Sequence, residues 1–255
     1  MPARRARERY SLGRLLAAAA LALAAGYGCE AGGSAPDAVP AAAADGSAPA
    51  ERPVVLFLGD SLTAGYGLAE EQAFPALVQQ RIDAAGLRYR VVNAGVSGDT
   101  SAGGLRRIDW LLRQPIAVLV LELGGNDMLR GQDLDAVAEN LRAIVDATRA
   151  AHSDARILIA GMRAPPNFGA DYAGRFEAIY ASLARETGAA LIPFLLEGVA
   201  GDPALTQADG IHPTAKGQRI LADTVWRSLE PLLIGSAPPD RGATHEATAR
   251  EAPHG

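Results

Sequence analysis

Apolar positions along the chain follow two alternating patterns. Short runs at 54–58, 89–93, 116–123, 156–161 and 189–194 are rich in Val, Ile and Leu and read as buried strands. Between them, at 74–85, 101–112, 133–151, 172–187 and 213–233, apolar residues recur every three or four positions, the period of an amphipathic helix. In the clearest case, 133–151, the stripe is Leu134, Val137, Leu141, Ile144 and Val145, and Asp133 stands where it can help the helix N-terminus. Strands alternating with helices predict a parallel sheet covered on both faces. The expected fold is α/β, a three-layer α/β/α domain with a five-stranded parallel sheet.

The ends are patterned differently. Residues 30–53 and 236–255 are mostly Ala, Gly, Pro, Ser and Asp, with almost no large apolar side chains. Neither stretch can bury a core, so 30–53 reads as a disordered linker and 236–255 as a disordered tail. The folded part, 54–235, is the size of one domain. Residues 1–29 carry a third pattern: Arg4, Arg5, Arg7 and Arg9, then an apolar run at 15–25, then small residues. The run is too short to span a bilayer comfortably and lacks the polar face of a soluble helix, so it reads as an export signal. Polar residues after Arg4-Arg5 argue against a twin-arginine signal.

Composition sharpens the picture at two points. A net charge of −5 and a pI near 5.4 give no global pull toward nucleic acid. Cys29 is the only cysteine, so no internal disulfide can form. A lone cysteine just beyond an apolar stretch resembles the lipobox of bacterial lipoproteins, where that residue is acylated. Gly28 supplies the small residue before it, although Gly26 stands where leucine is usual. The expectation is an exported protein, either anchored to the envelope membrane through lipidated Cys29 or free in the periplasm or medium.

Ligand sites in open parallel sheets lie at the carboxyl ends of the strands. The first strand stops at Gly59-Asp60-Ser61 and leaves one hydroxyl at its end. The second opens into Asn93-Ala94-Gly95-Val96-Ser97-Gly98-Asp99-Thr100, the third into Gly124-Gly125-Asn126-Asp127, and the fifth is followed by Asp209-Gly210-Ile211-His212-Pro213. Taken singly, each has an ordinary reading. Ser61 could cap a helix, Gly95 could supply a positive φ, Asn126 could close an Asx turn, Asp209-Gly210 could be a turn, and His212 could be a surface histidine. Their convergence on one sheet edge favours catalysis.

The other histidines do not compete: His245 and His254 lie in the tail, and His152 ends a helix, where a cation is favourable. His212 is left as the general base for Ser61, with Asp209 able to turn back to its Nδ1. Asp60 and Asp127 read as scaffold carboxylates. The chain has no HExxH, clustered-cysteine or Walker motif, and neither metal nor organic cofactor is expected.

The stretches 59–68, 93–100, 123–127, 162–169 and 208–216 together resemble the SGNH (GDSL) hydrolase superfamily. The similarity is greatest to its bacterial thioesterase I/lysophospholipase L1/arylesterase branch. The resemblance covers the whole expected domain and implies a flavodoxin-like SGNH hydrolase fold. It implies Ser61 as nucleophile, His212 as general base and acid, and Asp209 as the orienting carboxylate. It further implies an oxyanion hole made by the Ser61 and Gly95 backbone N–H groups and the Asn126 amide. Ser97, which comes within one residue of Gly-x-Ser-x-Gly, follows the wrong strand for the family nucleophile. Residues 162–169 resemble a substrate-side loop, with Met162, Pro165, Pro166 and Phe168 as candidate contacts.

The implied activity is an esterase or thioesterase acting on aryl, acyl or lysophospholipid esters, with a small-molecule partner and a monomeric or weakly dimeric state. Two readings stand beside it. A carbohydrate O-acetylesterase would keep the chemistry, but Trp110 and Trp226 fall on expected helices away from the strand exits. A non-catalytic flavodoxin-like binding module would leave Asp209 and His212 without a role.

Overall fold

The structure, a computed structural model, describes residues 52–235. The expected signal, Cys29, the tail and all but the last two residues of the expected linker lie outside the described residues. Those two residues are already tied to the fold: the Pro53 carbonyl accepts the Arg90 N–H at 3.0 Å, and Arg52 pairs with Asp83 at 3.3 Å.

Five strands form one sheet: β1 (Val54–Gly59), β2 (Arg90–Gly95), β3 (Ile116–Glu122), β4 (Arg156–Ala160) and β5 (Ala190–Ile192). All neighbours pair in parallel, in the order β2-β1-β3-β4-β5. β1 lies inside the sheet and is buried at all six positions, which is why its sequence is an unbroken apolar run. β2 lies at one edge of the sheet and has no fully buried residue. The chain order reverses between β1 and β3, and in doubly wound sheets the crevice at such a switch point is where ligands bind.

The longer helices are α2 (Phe74–Ala84), α3 (Ser101–Leu111), α5 (Leu134–Ala151), α6 (Ala170–Thr187) and α7 (Ala215–Ile234). α3 packs on α5 and α5 on α6, while α2 packs on α7, so the sheet is flanked by helices as the pattern of the chain requires. Phe57 of β1 meets Phe74 of α2 edge-on at 5.6 Å, with both rings fully buried. Truncating such a ring to alanine typically costs about 3–5 kcal/mol.

Two further helices, α1 (Ser61–Ala64) and α4 (Gly125–Leu129), were not expected; each is too short to show a period in sequence. β5 is shorter than its apolar run because Pro193 has no N–H to continue the ladder. β2 runs further than expected, to Gly95, which pairs with Gly59. These differences all fall at strand exits, where the site is built.

Candidate active site

At the end of β1 the chain turns into α1 within one residue. A Cβ on Gly59 would collide with the Thr63 side chain and with Glu122 Oε2, so no larger residue fits. Asp60 caps α1, its Oδ1 accepting the Leu62 N–H at 3.0 Å. Ser61 is the first residue of α1, and its N–H makes no hydrogen bond among the described residues. Buried Gln218 of α7 holds the base of this turn, donating to the Leu62 carbonyl at 3.2 Å and accepting the Phe74 N–H at 2.8 Å.

The structure brings Ser61, His212 and Asp209 into one hydrogen-bonded line. Ser61 Oγ lies 2.9 Å from His212 Nε2, and His212 Nδ1 lies 2.6 Å from Asp209 Oδ2. Asp209 Oδ1 also accepts the N–H groups of Ile211 and His212, at 2.8 and 2.9 Å. These bonds, led by the one from the His212 ring, hold the Asp209 carboxyl down at about 2. An ionised carboxylate only accepts, so Nδ1 carries the imidazole proton and Nε2 is free to accept from Ser61. The loop bearing His212 closes on itself through a Thr206–Pro213 bridge and the Gln207 N–H, which donates to the His212 carbonyl at 2.7 Å. Gln207 Nε2 ties this loop to the Tyr66 carbonyl at 2.7 Å, and the Tyr66 ring lies 4.4 Å from the His212 ring.

Asn126 lies on α4, across the switch point from Ser61. Its Nδ2 donates one hydrogen to Asp60 Oδ2 at 2.9 Å and keeps the other. Asp127 faces inward and holds α3, accepting the Ser101 N–H at 2.8 Å and the Ser101 hydroxyl at 2.7 Å. Behind Asp60 lies Glu122, the last residue of β3, whose Oε2 accepts the Thr63 hydroxyl at 2.7 Å and the Asp60 N–H at 3.2 Å. Burial pushes the Asp60 carboxyl up to about 6. Burial, and then the neighbouring Asp60, push the Glu122 carboxyl well above the carboxylate range. Nothing in the run Val118–Leu123 singles out Glu122 by sequence except a charge in an otherwise apolar strand.

Gly95 does not fit the role expected of it. Its N–H is spent on Asn93 Oδ1 at 2.9 Å, and a Cβ there would overlap the Ala64 backbone, so the glycine serves close packing of β2 on α1. Gly98, in the same loop, has a φ of 79° and an N–H that makes no hydrogen bond among the described residues. Its carbonyl accepts from Arg130 at 2.8 Å, which ties the loop to the end of α4. Arg107 clamps the loop from the other side, donating to the carbonyls of Gly59 and Ala94 and pairing with Asp99 at 2.8 Å.

Ser61, Asn126 and His212 open on a cavity of 560 Å³. Its walls are mostly apolar, among them Met128, Leu129, Met162, Pro165, Pro166 and Ile211. Of the four candidate loop contacts, three line this cavity. Phe168 does not; it stacks on Tyr172 of α6 at 5.5 Å. Neither tryptophan lines the cavity, and Trp110 is 67% exposed on α3. No group of three or more His, Cys, Asp or Glu among the described residues could hold a metal ion.

A family model described as the GDSL-like Lipase/Acylhydrolase family matches residues 57–220. Esterase TesA of Pseudomonas aeruginosa is 45% identical over 180 residues, covering 70% of this chain and 89% of that protein. Thioesterase 1/protease 1/lysophospholipase L1 of Escherichia coli strain K12 is 42% identical over 181 residues, covering 70% and 84%. A crystal structure of TesA superposes with a TM-score of 0.68 at 45% identity, covering 71% of this chain and 99% of that one.

Proposed function

The chain belongs to the GDSL-like lipase/acylhydrolase family and is a carboxylic ester hydrolase, and on that premise we propose that it works through an acyl-enzyme on Ser61. The observation that carries this reading is the line Ser61–His212–Asp209, with contacts of 2.9 and 2.6 Å, at the wall of an apolar cavity. Ser61 Oγ attacks the acyl carbon as its proton passes to His212 Nε2, and Asp209 stabilises the imidazolium. His212 then gives that proton to the departing alcohol or thiol. Water, deprotonated by His212, releases the acid from Ser61 in the second half.

Charge on the carbonyl oxygen is met by donors already in place: the Ser61 N–H, the second Nδ2 hydrogen of Asn126 and, in place of Gly95, the N–H of Gly98. The apolar walls and volume of the cavity support an aryl or acyl group as the substrate's bound part. Aryl esters, acyl esters and thioesters, and lysophospholipids all present one. The absence of tryptophan from the lining weighs against a polysaccharide ligand.

The test is hydrolysis of p-nitrophenyl esters from acetate to palmitate, with Ser61→Ala as control. Activity that is greatest on short or medium chains and lost in the variant is expected. Turnover confined to acetate would favour a deacetylase, and turnover surviving in Ser61→Ala would overturn the nucleophile. For the leader we propose export directed by residues 1–29 and lipidation at Cys29. Mass spectrometry of the mature N-terminus checks this, and an unlipidated start beyond Cys29 would refute the anchor.

A further inference from the structure

The esterase mechanism uses neither Asp60 nor Glu122, yet these two carboxyls lie together beneath the nucleophile. Both are buried, at 3% and 1% exposure. Groups from several surrounding elements bear on them. Thr63 of α1 donates to Glu122 Oε2, and Asn126 and the Leu62 N–H serve Asp60. His212 acts on Asp60 from the loop before α7, and Tyr180 of α6 lies near enough to feel both carboxyls. Tyr180 gives its own hydroxyl proton to the Leu123 carbonyl at 3.0 Å, so it does not serve Glu122. Arg107 of α3, whose guanidinium reaches the end of β1, is committed to Asp99 and to the carbonyls of Gly59 and Ala94. Among the described residues no Lys, Arg or His forms an ion pair with either carboxyl. Glu122 Oε1 is buried without a hydrogen-bond partner among the described residues.

Two adjacent carboxyls without a cation cannot both remain ionised away from water; one keeps its proton. Asp60 has the better claim to the charge, since it accepts from Leu62 and Asn126, whereas Glu122 has an oxygen with nothing donating to it. We propose that Glu122 is a positioning residue: as a neutral carboxylic acid it fastens the β1–α1 turn to β3 and holds the Asp60 carboxylate against Asn126. Glu122 Oε2 takes the Asp60 N–H and the Thr63 hydroxyl, which fixes the turn on both sides of Ser61. Asp60 Oδ2 in turn fixes the Asn126 amide, so its second hydrogen is aimed before substrate arrives. The role rests on the oxyanion function proposed for Asn126.

The experiment compares Glu122→Gln and Glu122→Leu in the full chain by steady-state kinetics and by infrared difference spectroscopy at pH 8. A neutral amide reproduces a neutral acid, so Glu122→Gln is expected to keep kcat within about threefold. Glu122→Leu removes both acceptor contacts and is expected to lower kcat about tenfold or more with KM little changed. That loss stays below the roughly 10²–10³ expected for removing an oxyanion donor itself. Adding Asp60→Asn to Glu122→Leu is expected to cost little more than the worse single change, because the two act in series.

The infrared spectrum of the wild type should show the carbonyl stretch of a protonated carboxylic acid that Glu122→Gln lacks. Absence of that band, wild-type kcat in Glu122→Leu, or Glu122→Gln as impaired as Glu122→Leu would each overturn the proposal. The band does not depend on turnover. Its loss therefore strikes the proton on Glu122, whereas turnover surviving in Ser61→Ala strikes the triad beneath it.

Discussion

The two halves of the site are built in opposite ways. The half that carries Ser61 and Asn126 is buried, and its bonds join residues far apart in the chain: Thr63 to Glu122 and Asn126 to Asp60. The half that carries His212 is an exposed loop whose bonds are nearly all local, from Asp209 to the residues two and three positions on. Burial gives the first half fixed donors in a poorly screened setting, where an oriented N–H counts for most. Exposure leaves the second half open to the one water that the proposed general base must deprotonate in each turnover. A rigid acceptor of charge faces a solvated carrier of protons.

The largest effect should come from the exposed half. Asp209→Asn keeps an oxygen for the Ile211 and His212 N–H groups, so the loop can hold its shape. Its amide, however, presents N–H to Nδ1 and selects the wrong imidazole tautomer. A loss in kcat on the order of 10⁴-fold is expected in a variant that still folds, its melting temperature lowered only by the loss of the Asp209 carboxylate's contribution. A Michaelis–Menten series with a thermal melt checks both, and a small kinetic loss would break the assigned role. In the buried half, Asn126→Ala should cost about 10²–10³ in kcat while KM stays nearly constant. A rise in KM alone would mean that Asn126 binds substrate rather than its transition state.

The same contrast decides what could be read from the chain. Asp209 and His212 are visible because their relation is one of spacing: three residues, a turn and the start of a helix. Ser61 is visible because a hydroxyl stops an apolar run. Glu122 is not, since it looks like one charge in the strand Ile116–Glu122, and only the pairing of Gly59 with Glu122 reveals that it lies beneath the nucleophile. Gln218 and Arg107 were missed for the same reason, being polar residues on helices whose partners lie on other elements. Gly95 was misjudged because glycine has two uses, close approach and a free N–H, and sequence alone does not separate them. The sheet, by contrast, was legible almost throughout, because burial writes itself into runs of Val, Ile and Leu.

Gly95 and Gly98 therefore give a sharper test of where the buried half ends. Gly95→Ala places a Cβ against the Ala64 backbone and should act first on stability, by about 1–3 kcal/mol. Gly98→Ala has room, its nearest neighbour being the Arg130 side chain at 3.4 Å, but must hold a φ of 79°. Turning the Gly98 N–H away from the oxyanion should lower kcat about tenfold or more, with a stability cost of roughly 1–2 kcal/mol. Equal kcat values in the two folded variants would remove Gly98 from the site.

The smallest effect concerns the sign of the pH dependence of stability, which should differ between the halves. Asp209 is held down at about 2 in the folded protein by the bonds it accepts. Its contribution is present above the ordinary carboxylate value and is lost as pH falls from about 4 through 2. Asp60 is held up at about 6 by burial. Between about 4 and 6 the folded protein therefore binds a proton at Asp60 that the unfolded chain has released, and stability declines as pH rises through that window. Asp60→Asn should make the wild-type slope of melting temperature between pH 4 and 6 shallower, the remainder belonging to Glu122, and Asp209→Asn should leave that slope alone while flattening the one below pH 4. If the two variants changed the same window, the division into a buried half and a solvated half would fail, because the two carboxyls would share one environment.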